Sequence, residues 1–362
     1  MNSLRVKVGV GNFLLVLLVG SLMVGCGQEE KKLTNRDIYL YQGADRDQKL
    51  IAKAKQEGAV MIYTSMVPQD LEPISQAFEK KYGIKVTSWR ALPKKVLQRA
   101  LIESKAERYQ FDVLGINGPG MESAYHEKLL EQFHSPALTD INPEFFPKHK
   151  YYAPDRVSLF VVGYNTKLVK PAEVPNSYKD LLKPKWRGTF AIEDADIDWF
   201  VAVAKAMGED EGIRYFKKLA AMKPVLRSNH TLLAEVIGSG EIPLALNVYN
   251  QSVERVKKKD IPIEWKPLQP VFGRASGIGL AKDAPHPHAG LLLVDFILSK
   301  EGQEIIRDRG RIPVNLTVDS PLSKFKYQLV DPALSPEERE KWTKLWSDLF
   351  LGGKTPTKAE ES

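Results

Sequence analysis

Four carboxylates fall within six positions at Glu193-Asp-Ala-Asp-Ile-Asp198, and Trp199 follows directly. A cleft lined by Asp194 and Asp196 would favour a cation or a ligand carrying amino groups, and Trp199 adds a flat face for a ring or a cation. Structural roles compete with this reading. An Asp just ahead of a helix accepts backbone N–H bonds as an N-cap, worth about 1 kcal/mol, and Trp199 also fits a core beneath that helix. One cap, however, uses one carboxylate of the four. Ser65, Arg90, Asn117, Tyr249 and Asn250 complete the set of candidate ligand contacts. Arg90 suits an anionic group or a partner in the acidic run, and Asn117 with Gly118 and Gly120 also reads as a turn. His286-Pro-His288 lacks a third clustered ligand and reads as the lead-in to a helix. Ser276, in Gly273-Arg-Ala-Ser-Gly277, is not the elbow of a hydrolase and has no assignable histidine. These residues point to binding, with no catalytic constellation and no cofactor.

The elements that carry them alternate. Gln48 to Glu57 is amphipathic, Ala59 to Tyr63 is a short apolar run, and Asp70 to Tyr82 returns to helical spacing before Gly83. Ile84 to Trp89 alternates as a strand, Lys94 to Glu107 is helical and Phe111 to Leu114 is extended. Such β-α-β-α-β order predicts a largely parallel sheet covered by helices, with ligands beyond the carboxyl ends of its strands. Each candidate named above follows such an end. The grammar recurs in the strands Val157 to Tyr164, Thr189 to Ile192 and Ile242 to Val248, with helices over Trp199 to Met207 and Asp210 to Ala221. Gly277 to Leu280 with the helices His288 to Leu298 and Gly302 to Arg309 extends the first unit. Two α/β lobes joined by crossing strands follow. Lobe one is predicted at 45–157 plus 272–320 and lobe two at 158–271, with 321–362 a helical segment and tail packed outside. Ser335 to Leu351 reads as a capped amphipathic helix, Pro336 at its first position and Gly352 past its end.

Cys26 is the single cysteine, so no intramolecular disulfide is available and stability must come from burial. It follows an apolar run from Phe13 to Gly25 that Arg5 and Lys7 precede, the three parts of a secretory signal. Leu22-Met-Val-Gly-Cys26 resembles the lipobox of bacterial lipoproteins, which predicts removal of 1–25, acylation of Cys26, and a polar tether over 26–44 with the fold starting near Asp47. The chain is then exported and anchored on the periplasmic or outer face of a membrane. With 43% hydrophobic and 27% charged residues the composition is that of a globular protein. Loss of Arg5 and Lys7 lowers the formal charge from +7 to +5. Lys and Glu alternate along the chain, a pattern that argues against nucleic acid as a partner.

Taken in order, Gly58–Ser65, Phe78–Val86, Phe111–Leu114, Val162–Thr166, Leu181–Trp186, Gly240–Pro243, Gly277–Leu280, Pro285–Ala289 and Phe296–Gly302 resemble the extracellular solute-binding proteins of ABC importers. The group is the one that includes the ferric-iron-binding proteins, and the match spans roughly residues 47 to 315. The resemblance implies a hinged, two-lobed α/β periplasmic-binding-protein fold of type II, a monomer whose cleft closes on a small solute and is read by an ABC permease. Tyr249 matches the first of the paired iron-ligating tyrosines of that branch. Asn250 stands for the second, and the histidine and glutamate ligands fall near Val67 and on Asn117. Carboxamides are poor ligands for a trivalent hard cation, so the resemblance reaches the fold and the transport role and stops short of the metal site. A carrier of a cationic or amine-bearing solute is the reading; a ferric or ferric-chelate carrier and an envelope solute sensor are its alternatives.

Overall fold

The computed structural model describes residues 33–353 and Met1. Cys26, the leader, tether residues 26–32 and the charged end 354–362 lie outside the described residues. In chain order α1 (Asn35–Tyr39) and α2 (Arg46–Glu57) lead into β1 (Ala59–Thr64), α3 (Pro68–Tyr82), β2 (Lys85–Arg90), α4 (Pro93–Lys105), β3 (Val113–Asn117) and α5 (Gly118–His126). β4 (Leu130–Glu131) precedes the long β5 (Ala153–Asn165). Then come β6 (Phe190–Glu193), α6 (Ile197–Ala206), α7 (Glu209–Ala221), β7 (Val225–Arg227), α8 (His230–Ser239), β8 (Leu244–Tyr249), α9 (Asn250–Lys257) and β9 (Ile263–Lys266). The chain returns through β10 (Val271–Ala281), α10 (Pro287–Leu298), α11 (Lys300–Asp308), β11 (Ile312–Pro313) and β12 (Tyr327–Leu329) to α12 (Pro336–Phe350).

Helix limits follow local chemistry. Gly58 and Gly83 close α2 and α3 in the left-handed conformation, each at φ 72°, where a side chain is strained. Ser335 caps α12 by accepting from Glu338 N, with Pro336 at the first position, as predicted. Three expectations need correction. The fold begins at Thr34 rather than near Asp47: Thr34 and Asp37 form a capping box, and Tyr39 is wholly buried with its hydroxyl on Ala281 O at 3.0 Å. A helix of five residues is too short to show periodicity. Asn117 opens a helix rather than a free turn, its Oδ1 accepting from Gly120 N at 3.1 Å. The sheet is mixed, not largely parallel. β1 pairs in parallel with β2 and β3, and β6 with β7 and β8, as β-α-β order requires. β5 and β10 cross between these groups and run antiparallel to each other and to β8 and β3.

The strand order is β2-β1-β3-β10-β5-β8-β6-β7. β5 changes partner at one point, pairing with β10 up to Leu159 and with β8 from Phe160. Two apolar clusters form. One gathers the helices over β1–β3 and runs on past that change to β8, α8 and α9; the other centres on Phe160, Trp199, Phe200 and Phe216 and takes in Trp342 and Trp346 of α12. Both tryptophans pack on Phe200, with centroids at 5.3 and 5.2 Å, so the C-terminal helix seals the second cluster. Among the described residues no helix is long and apolar enough to cross a membrane.

Candidate functional site

β6, β8 and α8 bring Glu193, Tyr249 and His230 to one end of the sheet, and Arg274 reaches them from the middle of β10. Gly273 beside it is gripped on both flanks: a Cβ there would meet Val157 at 2.8 Å and Tyr327 at 3.1 Å. Arg274 itself pairs with Ser158 in the ladder, so it springs from a backbone held in the sheet. It is 7% exposed and binds the acidic run directly. Nη1 lies 2.8 Å from Asp196 Oδ1, Nε donates to Asp198 Oδ2 at 2.6 Å, and Nη2 donates to Asp198 Oδ1. Nη1 also donates to the Tyr249 hydroxyl at 2.6 Å, and the cation sits 4.8 Å over the Phe160 ring. Asn247 ties the floor together, donating to Asp196 Oδ2 at 2.7 Å and accepting from Glu193 N at 2.8 Å. His230 stacks on Tyr249 with centroids 3.5 Å apart, its Nε2 lies 3.5 Å from Asp196 Oδ1, and its Nδ1 is buried without a hydrogen-bond partner.

Electrostatics follow from this burial. Burial opposes the Arg274 charge, but Asp198, Tyr249 and Asp196 outweigh it and hold the guanidinium well above its ordinary pKa. Burial raises Asp196, yet Arg274 and then His230 pull it lower still, so it stays ionised. Glu193 goes the other way. Burial first, then Asp196 and Asp194, push its carboxyl well above the usual range. Its oxygens accept from Ala195 N at 2.8 Å and Asn229 N at 3.3 Å. Burial also raises the Tyr249 phenol, with Arg274 opposing, so the hydroxyl stays protonated.

Of the residues singled out by sequence, Asp196 and Tyr249 meet in this cluster. Asp196 occupies the N-cap position of α6, but its side chain makes no capping bond and is 2% exposed, with both oxygens engaged. Asp194 is half-buried beside it, and its carbonyl accepts from Trp346 Nε1 at 2.8 Å. Trp199, 1% exposed, is a core residue set edge-on to Phe216 at 5.7 Å, so its face is closed to a ligand. Asn250 is buried too, accepting from Leu159 N at 3.0 Å and donating to Gly310 O at 2.9 Å where β5 changes partner. Ser65, Arg90 and Asn117 lie along one edge, at the carboxyl ends of β1, β2 and β3. Arg90 is exposed, and Arg274 takes the carboxylates it was offered as a partner for. Asn117 pairs with Ser276, two residues from Arg274 along β10. The two histidines lead into α10 on separate carboxylates, His286 on Asp112 and His288 on Glu57. His230 escaped the reading because β7 is only three residues long, though it too follows a strand end. Arg274 is mid-strand, where a search of strand ends does not look.

The family model for bacterial extracellular solute-binding proteins matches residues 112–345. The chain belongs to that family. This solute-binding protein is 24% identical over 266 residues to the Fe(3+)-binding periplasmic protein of Serratia marcescens, across 70% of this chain and 78% of the relative. A periplasmic protein of Salmonella typhimurium named for 2-aminoethylphosphonate binding is 27% identical over 290 residues, across 76% and 82%. Among solved structures, the periplasmic binding protein AfuA from Actinobacillus pleuropneumoniae with fructose-6-phosphate superposes with a TM-score of 0.71 at 25% identity, over 82% of this chain and 99% of that one. Iron-bound HitA from Pseudomonas aeruginosa gives 0.70 at 22%, over 80% and 99%. The fold is the two-lobed periplasmic-binding-protein fold, and the protein is the solute-binding component of an ABC importer. Members of the family bind small solutes and work with ABC permeases.

Proposed function

We propose that this binding protein captures a small solute carrying an amine at one end and an acidic group at the other, and delivers it without catalysis. The carrying observation is the charge of the cluster after Arg274 or another partner has bound. One buried guanidinium pairs with Asp196 and Asp198 while Glu193 and Asp194 lie beside them in the chain, and even with Glu193 protonated the carboxylates outnumber it, which favours an ammonium over an anion. Asp196 and Asp198 act through the field, since their oxygens are engaged; Asp194, which also has a partner, adds to that field, and the stacked His230 and Tyr249 form the rim. The edge bearing Ser65, Arg90 and Asn117 supplies the opposite character for an acidic group. The relative named for 2-aminoethylphosphonate binding supports a solute of this kind. A bare ferric ion is disfavoured because the Tyr249 phenol is protonated and already bonded to Arg274. In this reading lobe one is 45–157 with 272–320, lobe two is 158–271, and hinge closure of the monomer produces the form the permease recognises. Acylated Cys26 holds it at the membrane.

Calorimetric titration with 2-aminoethylphosphonate, ethylphosphonate and ferric citrate tests this. The amine-bearing compound is expected to bind, and ethylphosphonate to bind about ten- to hundredfold more weakly, the value of one charge-assisted bond. Asp194→Asn is expected to weaken the amine by at least about tenfold. Tighter binding of ethylphosphonate, or a phenolate-to-iron absorption band that vanishes in Tyr249→Phe, would overturn the reading.

A further inference from the structure

Glu193, Asp196 and His230 each turn one donor atom toward a common point, all within 4.8 Å of one another. Two carboxylates and an imidazole form a set that suits zinc, manganese or iron. Bonds of about 2.0–2.2 Å at the tetrahedral angle set donors on one ion about 3.3–3.6 Å apart, so the set would have to close by up to about an ångström to hold one. The buried, unpartnered Nδ1 of His230 leaves that ring free of a bond that would fix its tautomer. The grouping departs from the tyrosine pair and its partners that the iron-binding branch aligns with Tyr249, Asn250, Val67 and Asn117. What fills it is protein. Arg274 Nη1 lies 2.8 Å from Asp196 Oδ1, the oxygen that His230 also faces, and donates to the Tyr249 hydroxyl.

We propose that Arg274 is the specificity-determining residue of the site, a built-in cation that occupies the carboxylate cluster and excludes a bare metal ion, reserving the cleft for organic solutes. The inference rests on the reading of the solute as an organic amine. Three features combine. The guanidinium takes the Asp196 lone pair a metal would use. A dication a few ångströms from it meets twice the repulsion that a single ammonium does, in a site with little water to screen it. And the two-pronged grip of Asp198, with the Phe160 ring against the guanidinium, keeps the arginine from swinging aside.

Zinc chloride titrated calorimetrically into the wild type, Arg274→Lys and the double variant Arg274→Met/Asp198→Asn tests the role. Asp198→Asn removes the buried carboxylate that the arginine neutralises, so the double variant keeps its internal charge balance. If its circular dichroism is not native, Arg274→Gln, which retains a donor to Asp198, replaces it. Wild type and Arg274→Lys are expected to stay blind to micromolar zinc, and the arginine-free variant to gain at least about a hundredfold in affinity at one site. Adding Glu193→Gln or His230→Ala should return it to the wild-type level. Wild-type zinc binding as tight as the variant's, a folded variant with no gain, or a gain that survives both added substitutions would overturn the proposal. A wild type that ignores amines while the variant gains zinc would count against the organic-amine reading and leave the role of Arg274 standing.

Discussion

At the scale of the residue, Glu193 is the group whose titration should be visible in stability. Burial, Asp196 and Asp194 raise its pKa in the folded state well above the 4.5 of a free carboxyl. The folded protein therefore holds a proton that the unfolded chain releases. A raised carboxyl stabilises fully below its unfolded pKa, and that contribution is lost as pH rises through the folded value. Asp112, Asp155 and Asp295 are raised by burial as well, so the wild-type curve alone does not isolate Glu193. Glu193→Gln does. Its amide keeps one acceptor for Ala195 N or Asn229 N and loses the other, at a cost of about 1 kcal/mol. The stability gap between wild type and Glu193→Gln, read from urea denaturation, is expected to be widest below the free carboxyl's 4.5 and to narrow as pH rises above it. A gap that widens with pH would show that the carboxylate is the favoured form.

At the scale of the element, the exchange of β5 from β10 to β8 is the joint on which the architecture turns. An exchange leaves backbone groups that neither ladder satisfies, and buried ones must find other partners. Asn250, at the start of α9, serves Leu159 N and Gly310 O at once. Asn250→Ala is expected to cost about 1–3 kcal/mol in chemical denaturation, mostly from the buried Leu159 N–H left without a partner, the Gly310 carbonyl being half-buried. Its sequence role as a stand-in for an iron-ligating tyrosine is displaced by this one. A loss under about 0.5 kcal/mol would mean that water satisfies both groups. α12 makes a comparable point about elements distant in sequence. Its indole at Trp346 donates to Asp194 O, so the last helix props the acidic loop from behind.

At the scale of the whole molecule, α1 docks at Thr34 to Tyr39, and this leaves a short stretch between Cys26 and the fold. If Cys26 carries the anchor, Cys26→Ser is expected to move the protein from the membrane fraction to the soluble fraction while solute affinity, measured on purified protein, stays unchanged. Variant that still sediments fully with membranes counts against acylation. The same experiment separates anchoring from binding, because the cluster around Arg274 draws on residues 160 to 274.

Local signals were enough for much of the fold. Hydrophobic period, Gly58 and Gly83 as helix stops, and Ser335 as a cap are properties of neighbouring residues, so the sequence by itself determined the alternation of helix and strand and the two-lobed class. It also pointed to the strand ends as the place where candidate residues gather, because β-α-β units fix where loops collect. Strand direction across β5 and β10 was not legible, since antiparallel pairing between segments about a hundred residues apart leaves no local mark. The acidic run shows the same division. Four carboxylates were plain in the sequence, but whether they face solute or an arginine depends on Arg274, which lies 76 positions beyond Asp198. Only the tertiary structure decided that, because a buried charge selects its partner by proximity in space, and burial decides how strongly the pair must be satisfied.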